Sequence, residues 1–87
     1  MNETQFKILD ALYFPESFEK IVEEVGESKA IVANELKQLL AWNWVQAYIF
    51  DPIHQDYVPT FIVDGDNLEP YFCSATKEGL LHHVGYR

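Results

Sequence analysis

Apolar residues recur at helical spacing through the first half of the chain and in short, nearly unbroken runs through the second. From Thr4 to Phe14, the residues Phe6, Leu9 and Tyr13 share one face, widened by Ile8 and Leu12, and Pro15 ends the segment. From Phe18 the same period places Phe18, Ile21, Val22 and Val25 together. Ser17 is positioned to cap this second helix, and Gly26 closes it with the left-handed backbone that glycine tolerates. Ser28 then caps a third helix, roughly Lys29 to Trp42, whose stripe is Val32, Leu36, Leu39 and Leu40. Asn43 can end it in a left-handed turn, so that Trp44-Val45 lead into a strand. Two amphipathic helices joined by Gly26-Glu27-Ser28 carry the signature of a helix-turn-helix. Tyr13 and Phe14 are expected in the core.

After Val45 the period changes. Val45–Phe50 is rich in aromatic and β-branched residues and is stopped by Asp51-Pro52, which predicts a strand. Tyr57–Val63 predicts a second, with Pro59 suited to an edge or bulge, and Leu68–Ala75 a third. Asp64-Gly65-Asp66-Asn67 is a turn signal between them and the expected tip of the β segment. Thr76 then caps a short last helix through Val84. No repeat, low-complexity stretch or linker interrupts residues 1–87, so one domain of class α+β is expected.

This order resembles the winged helix-turn-helix regulators of bacteria and archaea, the MarR, PadR and ArsR groups. The resemblance rests on Ser28, Val32, Leu36, Leu39, Asn43, Trp44 and Val45 across the third helix and its exit. Ala75-Thr76-Lys77-Glu78-Gly79 adds to it, being similar to the Leu-Thr-x-x-Gly motif that opens a C-terminal helix in many members. It spans about residues 4–83 and implies a winged helix: three helices with a helix-turn-helix, an antiparallel hairpin or meander as the wing, and a short C-terminal helix. It also implies a third helix that enters the major groove. Carried over to this chain, the groove-facing residues are Lys29, Ala30, Ala33, Asn34, Lys37 and Gln38, of which Asn and Gln can read adenine and Lys can reach guanine or phosphate.

Charge pulls the other way. The chain has six Lys and Arg against fourteen Asp and Glu, a net −8. Residues 38–76 contain no Lys or Arg and five acids: Asp51, Asp56, Asp64, Asp66 and Glu69. Phosphate contacts supply most non-specific duplex affinity, and a wing with two carboxylates at its expected tip forfeits them. The expected function is therefore a non-catalytic regulatory module that works mainly by binding protein, as a homodimer or in a larger complex. Direct double-stranded DNA binding through the third helix, by a dimer on adjacent half-sites, is the alternative. Asp64 and Asp66 are the candidate partner-binding residues, with Trp42, which suits either closure of the core against the first helix or a dimer interface.

Other chemistry finds little footing. His54, His82, His83 and Cys73 lack zinc-site spacing, and the histidine pair is expected to be exposed. Asp64–Asn67 starts like a calcium loop, but position 75 is Ala where a bidentate Glu is needed. No nucleophile–base pattern or phosphate-binding glycine loop occurs, so no enzyme activity, cofactor or metal is expected. A lone cysteine, the absence of a secretory pattern at the N-terminus and the lack of any long apolar run point to a cytoplasmic protein.

Overall fold

The computed structural model describes residues 1–86 as an α+β structure. In chain order the elements are α1 (Glu3–Ala11), β1 (Glu16–Ser17), α2 (Phe18–Val25), α3 (Lys29–Ala41), β2 (Val45–Asp51), β3 (Asp56–Thr60), β4 (Phe72–Ala75) and α4 (Lys77–Val84). The strands form one antiparallel sheet in the order β1-β4-β2-β3. No helix among the described residues is long and apolar enough to cross a membrane.

The helices begin and end where local chemistry sets them. Ser17 Oγ accepts from the Lys20 amide and Ser28 Oγ from the Ile31 amide, each satisfying a donor that the first turn leaves unpaired. Gly26 adopts φ 77°, and its amide donates to the Val22 carbonyl. Asn43, at φ 60°, ends α3: its amide donates to Leu40 O, and the Trp44 amide reaches back to Leu39 O at 3.0 Å. Those two bonds are a complete Schellman turn. The first helix starts with a reciprocal box between Asn2 and Gln5.

One end differs from expectation. α1 stops at Ala11 rather than Phe14, because the Leu12 carbonyl accepts from the Ala75 amide at 2.9 Å, a bond to β4 in place of the next helical turn. Tyr13 and Phe14 consequently leave the core and are exposed. The core proper is Ile8, Leu9, Leu12, Ile21, Val32, Leu36 and Leu39 from the helices, with Val45, Ala47 and Cys73 from the sheet. Gln5 is the buried polar side chain of this interface; its amide donates to Glu35 Oε2 at 2.9 Å and Gln38 Oε1 at 3.3 Å, tying α1 to α3.

The β segment departs further from the sequence reading. β3 covers 56–60, not 57–63, and β4 covers 72–75, not 68–75. The strands do not form a meander. Residues 61–71 carry the chain from β3 across to the far side of β2, where β4 pairs with both β2 and β1. Pro59, opposite Tyr48, lacks the amide a central strand needs, which suits β3 to the edge. The crossing segment is anchored by Leu68, which enters the core, and by Tyr71, whose hydroxyl accepts from the Asp64 amide.

The last helix docks by a small set of bonds. The Thr76 amide donates to Trp44 O at 2.9 Å, and its hydroxyl donates to Asn43 O while accepting from the Gly79 amide. A Cβ at Gly79 would stand 2.1 Å from Trp44 O, so only glycine allows this approach. The Thr-x-x-Gly spacing thus joins the end of α3 to the start of α4.

Candidate functional site

Of the six groove-facing candidates on α3, all but the half-buried Ala33 are exposed, and the crossing segment runs along their edge. Lys29, Ala30, Ala33 and Lys37 border the crossing segment, which runs beside the helix and leaves two recesses of about 300 and 260 Å³. Lys29 Nζ lies 3.5 Å from Glu69 Oε1, and Gly65 passes directly over the Lys37 side chain. Asn34 remains exposed. Gln38 is turned toward α1 by its bond with Gln5 and is not aligned with the others.

Asp64 and Asp66 sit in this same crossing segment. The turn forms as its sequence indicates: Asp64 O accepts from the Asn67 amide, and Asp64 Oδ1 from the Asp66 amide. It is not the tip of the β segment, however. It lies against α3, with Gly65 over the Lys37 side chain, while both aspartates remain exposed to solvent.

The true tip is the β2–β3 turn at 52–55, where Gln55 adopts φ 51°. Asp51 Oδ2 accepts from His54 Nδ1 at 2.6 Å and Oδ1 from the Ile53 amide at 2.9 Å. These two bonds hold the Asp51 carboxyl below its ordinary range, the histidine contact contributing most.

Between core and tip the hairpin is apolar on both faces. Register pairs Phe50 with Tyr57 and Tyr48 with Phe72 on one face, where Phe50, Tyr57 and Phe72 form an aromatic row with centroids 5.3 and 4.6 Å apart. Ile49 and Val58 pair on the other face. All but Tyr48 and Phe72 are substantially exposed, and Ile53, Phe61 and Ile62 are each more than four-fifths exposed. With a longest dimension of 43 Å against 26 and 20 Å, the chain has the shape of a packed body with a protruding arm. The arm's residues are those the sequence reading missed. Their signal was present: a strand half-buried at a domain surface alternates apolar with polar, and Ala47–Phe50 followed by Tyr57–Val63 does not.

Trp42 is 43% exposed and does not close the core against α1. It stands beside Trp44, whose other face stacks on His82 at 4.0 Å. His83, expected to be exposed, is buried between α1 and α4: Nδ1 shares a hydrogen bond with the Tyr13 hydroxyl, Phe6 stacks at 4.4 Å, and an Asp10 carboxylate oxygen lies 3.3 Å from Nε2. Period alone hid this, because the α4 stripe turns on Gly79 and His83, neither of them counted as hydrophobic. Cys73, in the sheet's core face, has its thiol pushed up to about 12 by burial, which removes it as a nucleophile at neutral pH. No group of three or more His, Cys, Asp or Glu is arranged to hold a metal ion among the described residues.

No protein-family model, no curated protein and no solved structure matches the chain.

Proposed function

We propose that the chain is a non-catalytic, winged-helix type regulatory module that acts mainly by binding protein, as a homodimer or within a larger complex, through the β2–β3 arm. One observation carries this reading. Ile49 and Val58 on one face of the hairpin, Phe50 and Tyr57 on the other, Ile53 at its tip and Phe61 and Ile62 just beyond β3 are all exposed, a density of large apolar side chains beyond what scattered surface hydrophobics explain. The stretch 38–76 that contains it has no Lys or Arg, so it is unsuited to the phosphate contacts a wing makes on DNA. Glu69 of the crossing segment adds to that by pairing with Lys29 at 3.5 Å.

Exposure of Ala30, Asn34 and Lys37 favours the second reading, direct duplex binding through α3. Sedimentation equilibrium on the protein and its Phe61→Ser variant, paired with anisotropy of a labelled mixed-sequence duplex at about 50 and 200 mM salt, separates the two. The protein-binding reading expects association that Phe61→Ser abolishes, with no duplex affinity at either salt. Duplex affinity that falls steeply with salt and disappears in Lys37→Glu would overturn it.

A further inference from the structure

At the end of the molecule where α3 passes into β2, two indoles meet in a corner. Trp42 caps α3 and Trp44 begins the next segment; Asn43, left-handed between them, reverses the chain so that both rings reach the same side. Their centroids are 5.0 Å apart with planes inclined by 56°. His82 backs Trp44, stacked at 15°, and Glu78, one turn earlier on α4, stands 4.0 Å from His82 Nε2. Together with Met1 these residues line a recess of about 380 Å³.

The corner is rigid before anything binds. The Schellman turn fixes Trp42, Asn43 and Trp44 to the last turn of α3, and Thr76 holds the Asn43 and Trp44 carbonyls from the other side. Packing does not account for Trp42, which is 43% exposed while every core position around α3 is filled by Val32, Leu36 and Leu39. Such an indole is costly to leave in water and is preorganised for a ligand.

The chemistry of the lining selects the ligand. The faces of indole rings carry negative quadrupole density, and tryptophan is the strongest of the aromatic side chains in attracting a cation. Glu78 adds a carboxylate, and among the described residues no Lys or Arg side chain lines the recess, the Met1 amino group being the one basic main-chain group of the lining residues. An anion would meet Glu78 and the protein's net −8; a neutral apolar group would gain contact area alone. We propose that this corner is a binding site for a single organic cation, an alkylated ammonium or a guanidinium head, offered either by a free small molecule or by a side chain of a partner protein. The site stands apart from the arm and does not depend on the arm being an interface.

Trp42 and Trp44 are the chain's two tryptophans, so emission excited selectively from tryptophan, rather than from the five tyrosines, reports on this corner. The protein is titrated with choline and, separately, with its neutral isostere 3,3-dimethylbutanol. A saturable change with choline and none with the alcohol over the same range is expected. Short peptides centred on trimethyllysine, lysine or arginine form the second arm. Tighter binding by a peptide assigns the site to a partner's side chain, and tighter binding by choline assigns it to a small molecule.

Trp42→Leu keeps Trp44 as reporter and should abolish the response while far-ultraviolet circular dichroism stays unchanged. Glu78→Gln, which leaves α4 intact, should weaken binding about threefold, the effect of one exposed charge. The proposal is overturned if the alcohol binds as well as choline, if no cation gives a saturable response, or if Trp42→Leu binds as the parent does.

Discussion

The two ends of β2 are equally apolar and have opposite fates. Val45 and Ala47, at the root, are sealed under α3 and beside Cys73; Ile49 and Phe50, a few residues on, meet solvent. Nothing in the strand changes between them except that the helices end. Folding explains the root, since burying a side chain such as that of Val45 contributes about 1.5–3 kcal/mol. It does not explain the tip, where the larger Ile49 and Phe50 gain little from the fold. The difference separates what the chain needs to be stable from what it presents to others, and the following experiments probe that boundary.

The largest effects belong to the packed body. Gly79→Ala would put a methyl group 2.1 Å from Trp44 O and push α4 off the end of α3, for a loss of about 3 kcal/mol in urea unfolding. Leu36→Ala, at a position with no exposure, should cost about 3 kcal/mol by leaving a cavity. A loss below about 1 kcal/mol in both, far under the usual range for such sites, would mean that the body is not the cooperative unit.

Next comes the cap at the start of α3. Ser28→Ala removes the acceptor for the Ile31 amide and should lower stability by about 1 kcal/mol, with Ser28→Asp restoring most of it. A loss in Ser28→Ala that Ser28→Asp does not share distinguishes loss of the cap from a change in loop packing. Smallest among the stability effects are Ile53→Ser at the tip of the arm and Phe61→Ser just beyond β3, which should stay within about 0.5 kcal/mol of the parent. If either destabilises the fold as Leu36→Ala does, the arm belongs to the core and its exposure has been misread.

The same boundary marks what could be read from sequence. Ser17, Ser28, Gly26, Asn43 and Thr76 were all legible, because capping depends on chemistry within four or five residues. The α+β class followed from the switch in period at Val45. What was not legible depends on partners distant in the chain. α1 ends at Ala11 because Ala75 takes the Leu12 carbonyl, and no local pattern announces that bond. The two-residue β1 exists only through its pairing with Phe72 and Cys73. The Asp64–Asn67 turn was recognisable as a turn, but its place against α3 follows from Leu68 being drawn into the core and from β4 crossing to the inner side of β2. At the candidate site, the α3 residues were identifiable one by one. The segment that borders them was not, since its path is set by that crossing.

The tip itself offers the finest test, because its order rests on two bonds to one carboxylate. His54 and the Ile53 amide hold Asp51 below its ordinary value of 3.8. A group whose folded pKa is depressed contributes stability above its unfolded value, and that contribution is lost as pH falls through the folded value. The turn should therefore be fully ordered at neutral pH and loosen only below about 3.8, by which point ordinary surface carboxylates are already half protonated. Carboxyl carbon chemical shifts followed from pH 7 to 2 should give Asp51 a midpoint below its ordinary value of 3.8. In His54→Ala the largest cause is removed and the Asp51 midpoint should rise toward 3.8, while the Ile53 amide keeps part of the shift. If the midpoint does not move in that variant, the histidine does not order the tip. The apolar residues around it would then be presented by a mobile turn, and the contrast with the root of β2 would be one of order as well as burial.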